Sequence, residues 1–187
     1  MAALGIVLAA GAGSRYGRPK ATVVEDGRSW LALAVDALTG GGCTEVVVVL
    51  GAETEQSRTL LDGDVRVVVA EDWAQGVSAS LRRGLVVAQE AGPEVDRAVL
   101  TLVDIPDVGP EVVSRLLAAA LDADALARAT YAGRPGHPVV LGRAHWEAVA
   151  ASVSGDRGAG PYLSEHGART VECGDLATGE DVDTPRV

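Results

Sequence analysis

Apolar residues in this chain come in short unbroken runs separated by longer amphipathic stretches. Leu4–Ala9, Glu45–Leu50, Val65–Ala70 and Ala98–Val103 are rich in Val, Leu and Ala. Such runs, with little polar alternation, predict strands covered on both faces. Between them the apolar positions fall at helical spacing. Ser29 is the N-cap of a predicted helix through Leu38, ended by Gly40-Gly41-Gly42. A short helix is predicted around Glu53–Leu61. Leu81, Leu85 and Ala88 mark one face of a helix over Val77–Ala91. Pro110 suits the first turn of a helix that Val112–Leu121 carries on.

This alternation predicts an α/β fold with a mainly parallel sheet. Beyond Asp122 the pattern loosens. Ala127–Tyr131 and Pro138–Leu141 are predicted strands around a turn at Gly133-Arg134-Pro135-Gly136. His145–Ala151 is a predicted short helix, and Arg169–Cys173 a last strand. We expect one domain over 1–187, with a first half at 1–121 and a second half at 122–187 that adds a lid or substrate-facing hairpin. Ligands of open parallel sheets bind beyond the C-terminal ends of the strands. The loop at Gly11, Asp104 and the Trp73–Ser80 stretch fall near such ends, which predicts one shared site.

Composition narrows the choice of ligand. The 187 residues are 48% hydrophobic but only 3% aromatic, with no Phe, so Val, Leu and Ala must build the core. Lys and Arg number 16 against 26 Asp and Glu, a formal net charge of −10. A surface this acidic argues against general binding to nucleic acid or anionic membrane. Cys43 and Cys173 stand far apart with no His cluster nearby, which suggests neither a disulfide framework nor a zinc site. No apolar run approaches about 18 residues, so no membrane span is expected. The N-terminus has no basic segment before its apolar run, and cytoplasmic location is the expectation.

Against that acidic background, Val-Leu-Ala-Ala-Gly-Ala-Gly-Ser-Arg-Tyr-Gly-Arg-Pro-Lys at residues 7–20 concentrates glycine and positive charge at a strand end. The P-loop string G-x-x-x-x-G-K-[ST] is absent. The dinucleotide fingerprint G-x-G-x-x-G fits poorly, because Gly11, Gly13 and Gly17 are one residue too widely spaced and Pro19 interrupts any helix. The second strand also lacks an acidic residue directly at its end, Glu53 being a loose candidate for a ribose. A loop whose amides form an anion nest around a triphosphate, with Arg15 and Lys20 adding charge, remains. A turn with solvated Arg and Lys is the bland alternative.

Leu8-Ala9-Ala10-Gly11-x-Gly13-x-Arg15-x-Gly17-x-Pro19-Lys20 resembles the signature of Rossmann-like nucleotidyltransferases, most closely the molybdenum cofactor cytidylyltransferase-like group. Other segments are similar to the family in order along the chain. They are Trp73-Ala74-Gln75-Gly76-Val77-Ser78-Ala79-Ser80-Leu81, Leu102-Val103-Asp104-Ile105-Pro106, Gly133–Pro138, Gly155-Asp156-Arg157-Gly158-Ala159 and Asp181-Val182-Asp183-Thr184-Pro185. The resemblance implies a three-layer α/β/α fold of nucleotide-diphospho-sugar transferase type with a mainly parallel, mixed sheet. It implies transfer of a nucleoside monophosphate, CMP from CTP by the Leu-Ala-Ala-Gly start, to a phosphorylated acceptor such as the molybdenum cofactor. Delivery to a molybdoenzyme or its chaperone is the partner it implies.

The resemblance also implies roles. Leu8, Ala9, Ala10, Gly11, Ala12, Gly13, Gly76 and Ser80 would bind the nucleotide. Arg15, Lys20 and Asp104 would be catalytic, and Asp104 with Asp183 would hold Mg²⁺, a hard cation suited to carboxylate oxygen. His137 would bind the acceptor and titrate near neutrality. Asp183 lies so near the C-terminus that its role requires an ordered tail. Three departures stand out: Ala21–Asp26 replaces a Leu-rich continuation, Ile105 replaces a frequent Gln, and Gly160-Pro161 stands where an Arg is common. Sugar-phosphate or methylerythritol-phosphate cytidylyl transfer is the nearest alternative. A non-catalytic nucleotide-binding module and a nicotinamide-dependent oxidoreductase are alternatives of other classes.

Overall fold

The computed structural model describes residues 2–61, 63 and 65–184. Strand β1 (Ala2–Ala9) leads into a long loop, a 3-10 turn at Lys20–Thr22 and a small hairpin of β2 (Val24–Glu25) and β3 (Arg28–Ser29). Next come α1 (Trp30–Gly40), β4 (Glu45–Leu50), α2 (Thr54–Arg58), β5 (Arg66–Val69) and α3 (Val77–Glu90). They are followed by β6 (Val95–Leu102), α4 (Pro110–Ala119), β7 (Leu126–Tyr131) and β8 (Arg134–Gly142). The chain continues through α5 (Trp146–Ser152), α6 (Gly160–Glu165) and β9 (Arg169–Glu172).

Seven strands form one sheet in the order β5-β4-β1-β6-β8-β7-β9. The β5, β4, β1 and β6 strands are mutually parallel, β8 runs antiparallel to both β6 and β7, and β9 is parallel to β7. The unbroken apolar runs are explained by helices on both faces. Val7, Val48 and Val99 face Leu31 and Leu38 of α1 and Val112 and Leu116 of α4. Ile6, Val49 and Leu100, the opposite parity of the same strands, face Leu81 and Leu85 of α3, Trp146 of α5 and Leu163 of α6. Each buried Val or Leu contributes about 1.5–3 kcal/mol, so many small side chains do the work of aromatics. Gly84 lets α3 sit close on the sheet, since a Cβ there would lie 2.7 Å from Ile6 Cγ2. The result is the three-layer, mixed-sheet α/β fold that the sequence implied.

The Ser29 hydroxyl accepts from Ala32 N at 3.0 Å, as an N-cap should. Pro110 opens α4 as expected. Elsewhere the boundaries move. The predicted turn at 133–136 is instead a two-residue turn at Ala132 and Gly133, with φ of 50° and 76°. Arg134 already pairs with Tyr131, so Arg134, Pro135 and Gly136 belong to β8. The helix expected over Glu53–Leu61 is confined to Thr54–Arg58, because Glu53 takes a left-handed conformation and caps it. The last strand stops at Glu172, one residue short of Cys173. The β2–β3 hairpin and α6 were not predicted. Among the described residues no helix is long and apolar enough to cross a membrane.

Candidate active site

The C-terminal ends of β1 and β6 open onto a cleft of about 570 Å³. Every residue from Leu8 to Arg15 lines it, together with Lys20, Gly76, Ser80, Asp104 and Asp183. The structure therefore brings together all the sequence-predicted residues except His137. After β1 the chain does not become helical until Trp30, apart from the Lys20–Thr22 turn. A dinucleotide fingerprint needs a helix opening at its glycines, so this loop is a different device. Gly13 has φ 62°, and a Cβ there would fall on the Arg18 carbonyl oxygen. That glycine bends the loop back on itself, with Gly17 N donating to Gly13 O at 2.9 Å. The amides of Ala12 and Gly13 have no backbone partner among the described residues.

The opposite wall is the start of α3. Gly76 has φ 109°, and a Cβ there would lie 2.5 Å from the Gly155 carbonyl oxygen and 2.6 Å from Asp156 Oδ1. Only glycine lets the 155–156 loop close onto the N-terminus of α3, where Val77 and the buried Ser80 face the cleft. The indole of Trp73 also lines the cleft and packs over Gly51, where a Cβ would lie 2.5 Å from Trp73 Cγ.

At the base of the cleft, cations and carboxylates meet. Lys20 Nζ donates to Asp104 Oδ2 and Asp183 Oδ1, each at 2.8 Å, and Arg15 donates to Asp183 Oδ2 at 2.9 Å. Burial alone would lower the Lys20 ammonium, but hydrogen bonds to Asp104 and Asp183, with their charges, hold it above its usual value. The same contact holds the Asp183 carboxyl below the ordinary range.

The C-terminal segment reaches the site because it is tied down. Val182 is buried, and its amide donates to Asp104 O at 2.9 Å. Further back, Thr178 donates from its amide and hydroxyl to Asp107 at 2.7 and 2.6 Å. Pro185, the last residue of the D-x-D-T-P segment, lies outside the described residues.

A divalent cation fits this base. One carboxylate oxygen each from Asp104, Asp181 and Asp183 lie within 4.8 Å of one another. Asp104 Oδ1 is buried with no hydrogen-bond partner among the described residues, which leaves a hard oxygen donor available. Hard oxygen ligands suit Mg²⁺ or Mn²⁺. Sequence reasoning missed Asp181 as a donor, although the D-x-D spacing was its signal.

His137 lies elsewhere. It lines a second cavity of about 410 Å³ that shares Leu8, Val77, Leu102 and Asp156 with the cleft. Burial, and then the nearby Arg128 charge, push the imidazole down to about 4, against a partial opposing pull from Asp104. The ring is therefore neutral at physiological pH, contrary to the expectation of titration near neutrality. Its carbonyl accepts from Tyr131 OH at 2.7 Å, which fixes this part of β8.

The chain is 37% identical to the nicotine blue oxidoreductase of Paenarthrobacter nicotinovorans over 192 aligned residues, 96% of this chain and 91% of that one. A 90-residue stretch is 43% identical to 2-C-methyl-D-erythritol 4-phosphate cytidylyltransferase of Rhodococcus jostii, 46% of this chain and 38% of that protein. The crystal structure of Rv0371c from Mycobacterium tuberculosis matches with a TM-score of 0.81 at 28% identity, covering 98% of this chain and 94% of that one. Its manganese complex matches with a TM-score of 0.78 at 26% identity, over 97% and 94% of the two chains. The sheet order and these structures identify the nucleotide-diphospho-sugar transferase type of fold. The family model of the MobA-like NTP transferase domain matches residues 5–170, and the chain belongs to that family of nucleotidyltransferases.

Proposed function

We propose that this protein transfers CMP from CTP to a phosphorylated small molecule, the molybdenum cofactor being the acceptor its sequence most resembles, and releases pyrophosphate. Residues 1–121 serve the donor and 122–187 the acceptor. The observation that carries the reading is the meeting of Lys20, from the glycine loop, with Asp104 and Asp183 at one cleft base. The stretch resembling a cytidylyltransferase supports CTP, as does Ala10 in the loop.

In this reading Leu8–Gly13, Gly76 and Ser80 hold the nucleotide. The amides of Ala12 and Gly13, with Arg15 and Lys20, hold the β- and γ-phosphates. An acceptor phosphate oxygen attacks the α-phosphorus as the bond to pyrophosphate breaks. That oxygen is already ionised at neutral pH, so positioning and charge stabilisation carry the rate. A divalent cation on Asp104 and Asp183, Mg²⁺ in our reading and with Asp181 in reach, would supply a hard positive charge for the phosphate oxygens. The neutral His137 ring orients the acceptor by hydrogen bonding and holds no labile charge. Delivery of the product to a molybdoenzyme or its chaperone follows if the acceptor is the molybdenum cofactor.

The test is a pyrophosphate-release screen of the four ribonucleoside triphosphates with Mg²⁺ against purified molybdopterin and other phosphorylated small molecules. CTP-dependent release supports the reading. No release with any pair refutes it.

The likeness to an oxidoreductase favours a second reading, an oxidoreduction with a dinucleotide in the same cleft. The non-helical loop after β1 and the absence of Glu53 from the cleft lining weigh against it. Thermal shift with NADH and NADPH against Mg-CTP separates the two, since a ligand at 100 times its Kd stabilises by about 2.7 kcal/mol.

A further inference from the structure

The second cavity has mostly apolar walls: Leu81, Leu100, Leu102, Val139 and Leu163 are among them. Arg128 and Arg157 are the cations of its lining. Arg128 projects from β7, on the face of the sheet that α3 and α6 cover, and lines this cavity but not the first. Its Nε is buried and has no hydrogen-bond partner among the described residues. The other arginines that are not fully exposed all have partners. Arg82 donates to Val153 O, Arg97 to Asp96 and two carbonyls, Arg115 to Asp175, and Arg143 to four carbonyls. No ion pair of the Arg128 side chain is found among the described residues, and its Nε stands without a hydrogen-bond acceptor.

A partly buried guanidinium with no acceptor costs stability. Such costs persist where a ligand repays them. Burial lowers the Arg128 pKa, as desolvation without a partner must. The placement gives the missing partner a location. Val139 pairs with Leu100 on one side and Arg128 on the other, so the three stand in one row across the sheet. Adjacent strands are about 4.8 Å apart, which puts Arg128 roughly 10 Å across the sheet from Leu100. His137 lines the same cavity as Arg128 and feels its charge. The lining holds Arg128 and Arg157 against Asp156, a local positive excess in a chain of formal net charge −10.

We infer that Arg128 selects the acceptor by binding an oxyanion, phosphate or carboxylate, carried on an apolar body that fills the second cavity. The guanidinium fork suits such an oxyanion, offering two parallel donors. This rests on the nucleotidyl-transfer reading for the identity of the cavity's occupant.

The test uses Arg128→Met and Arg128→Lys in the full chain. Naphthyl phosphate and uncharged naphthol are titrated in the presence of Mg²⁺ and a non-hydrolysable CTP analogue, which occupies the first cleft. Hydrogen bonds to charged groups are worth about 1.5–3 kcal/mol, so Arg128→Met should weaken naphthyl phosphate by about ten- to hundredfold. Arg128→Lys should recover part of that affinity, and naphthol should bind wild type and Arg128→Met alike. Without ligand, the Tm of Arg128→Met should equal or exceed that of wild type. Equal binding of naphthyl phosphate to wild type and Arg128→Met overturns the inference. So does a Tm loss of several degrees or failure to fold, which would make Arg128 structural. The analogue's own affinity, read in the same samples, tests the nucleotidyl-transfer reading separately.

Discussion

Replacing Lys20 by Ala separates the two tasks we assign to that ammonium. It lies 2.8 Å from Asp104 Oδ2, with the two side chains 13% and 20% exposed. The contact to Asp183, also 2.8 Å, is more open, since that carboxylate is 41% exposed. A surface ion pair is worth about 0–1 kcal/mol and breaking a fully buried one costs about 3–5, so the partly buried Lys20–Asp104 contact should be worth about 2 kcal/mol. At about 2–4 °C per kcal/mol for a chain of this length, Lys20→Ala should lower the metal-free Tm by about 4–8 °C. The loss of charge stabilisation on the leaving pyrophosphate should reduce kcat by about 10²–10³. Mg²⁺ should treat these losses differently. At 100 times its Kd it adds about 2.7 kcal/mol, enough to restore Tm. A cation between the carboxylates does not replace one on the β- and γ-phosphates, so turnover should stay low. Scanning calorimetry with and without MgCl₂, beside pyrophosphate release from CTP, reads both. Wild-type turnover in Lys20→Ala, or an unchanged metal-free Tm, would refute the reasoning.

Three further expectations follow from the same geometry. The folded His137 ring titrates at about 4 against an ordinary 6.5. Between those values the unfolded chain holds a proton that the native ring excludes, so stability is unaffected above 6.5 and falls as pH drops. The loss by about pH 5 is at most about 2 kcal/mol, and urea unfolding should show a flatter profile for His137→Gln. Glu172 accepts from Gly133 N, Thr130 Oγ1, Gly174 N and Ala132 N, which holds its carboxyl below the ordinary 4.5. Its contribution is therefore present above 4.5 and lost as pH falls through the lower folded value. Acid unfolding of Glu172→Gln should show less of that loss, and an identical acid profile would contradict the assignment. Gly76→Ala forces a Cβ to within 2.5 Å of the Gly155 carbonyl at φ 109°. It should weaken Mg-CTP binding by tenfold or more, about 1.4 kcal/mol, by calorimetric titration, because left-handed backbone strain and that clash of about 1–3 kcal/mol open the wall.

The parts of the fold legible in sequence were those that local physics decides. Leu4–Ala9 and Glu45–Leu50 read as buried strands because helices on both faces leave no polar alternation. Ser29 and Pro110 read as helix starts because a cap hydroxyl and a fixed φ act within one turn. The Ala132-Gly133 turn was hidden, because alanine seldom takes φ 50° and the Gly-Arg-Pro-Gly run beside it looked more like a turn. The site divides the same way. Residues Leu8–Gly13 and Asp104 sit in compact strings that were singled out because several such strings resemble one family in order along the chain. Arg128 gave only a weak signal, a charge between Ala127 and Ala129 in an apolar strand, because its lack of a partner depends on strands and a loop distant in sequence. Most of all, a linear string names Lys20 and Asp104 separately, 84 positions apart. It does not reveal that they hold one another. Arg15 and Lys20 of the glycine loop are committed to the carboxylates, so under the proposed function binding a triphosphate with its metal would have to exchange partners on both sides at once. Cations that pair with Asp104 and Asp183 offset the repulsion between those carboxylates in an acidic protein, and under the proposed function they would couple nucleotide affinity to divalent cation.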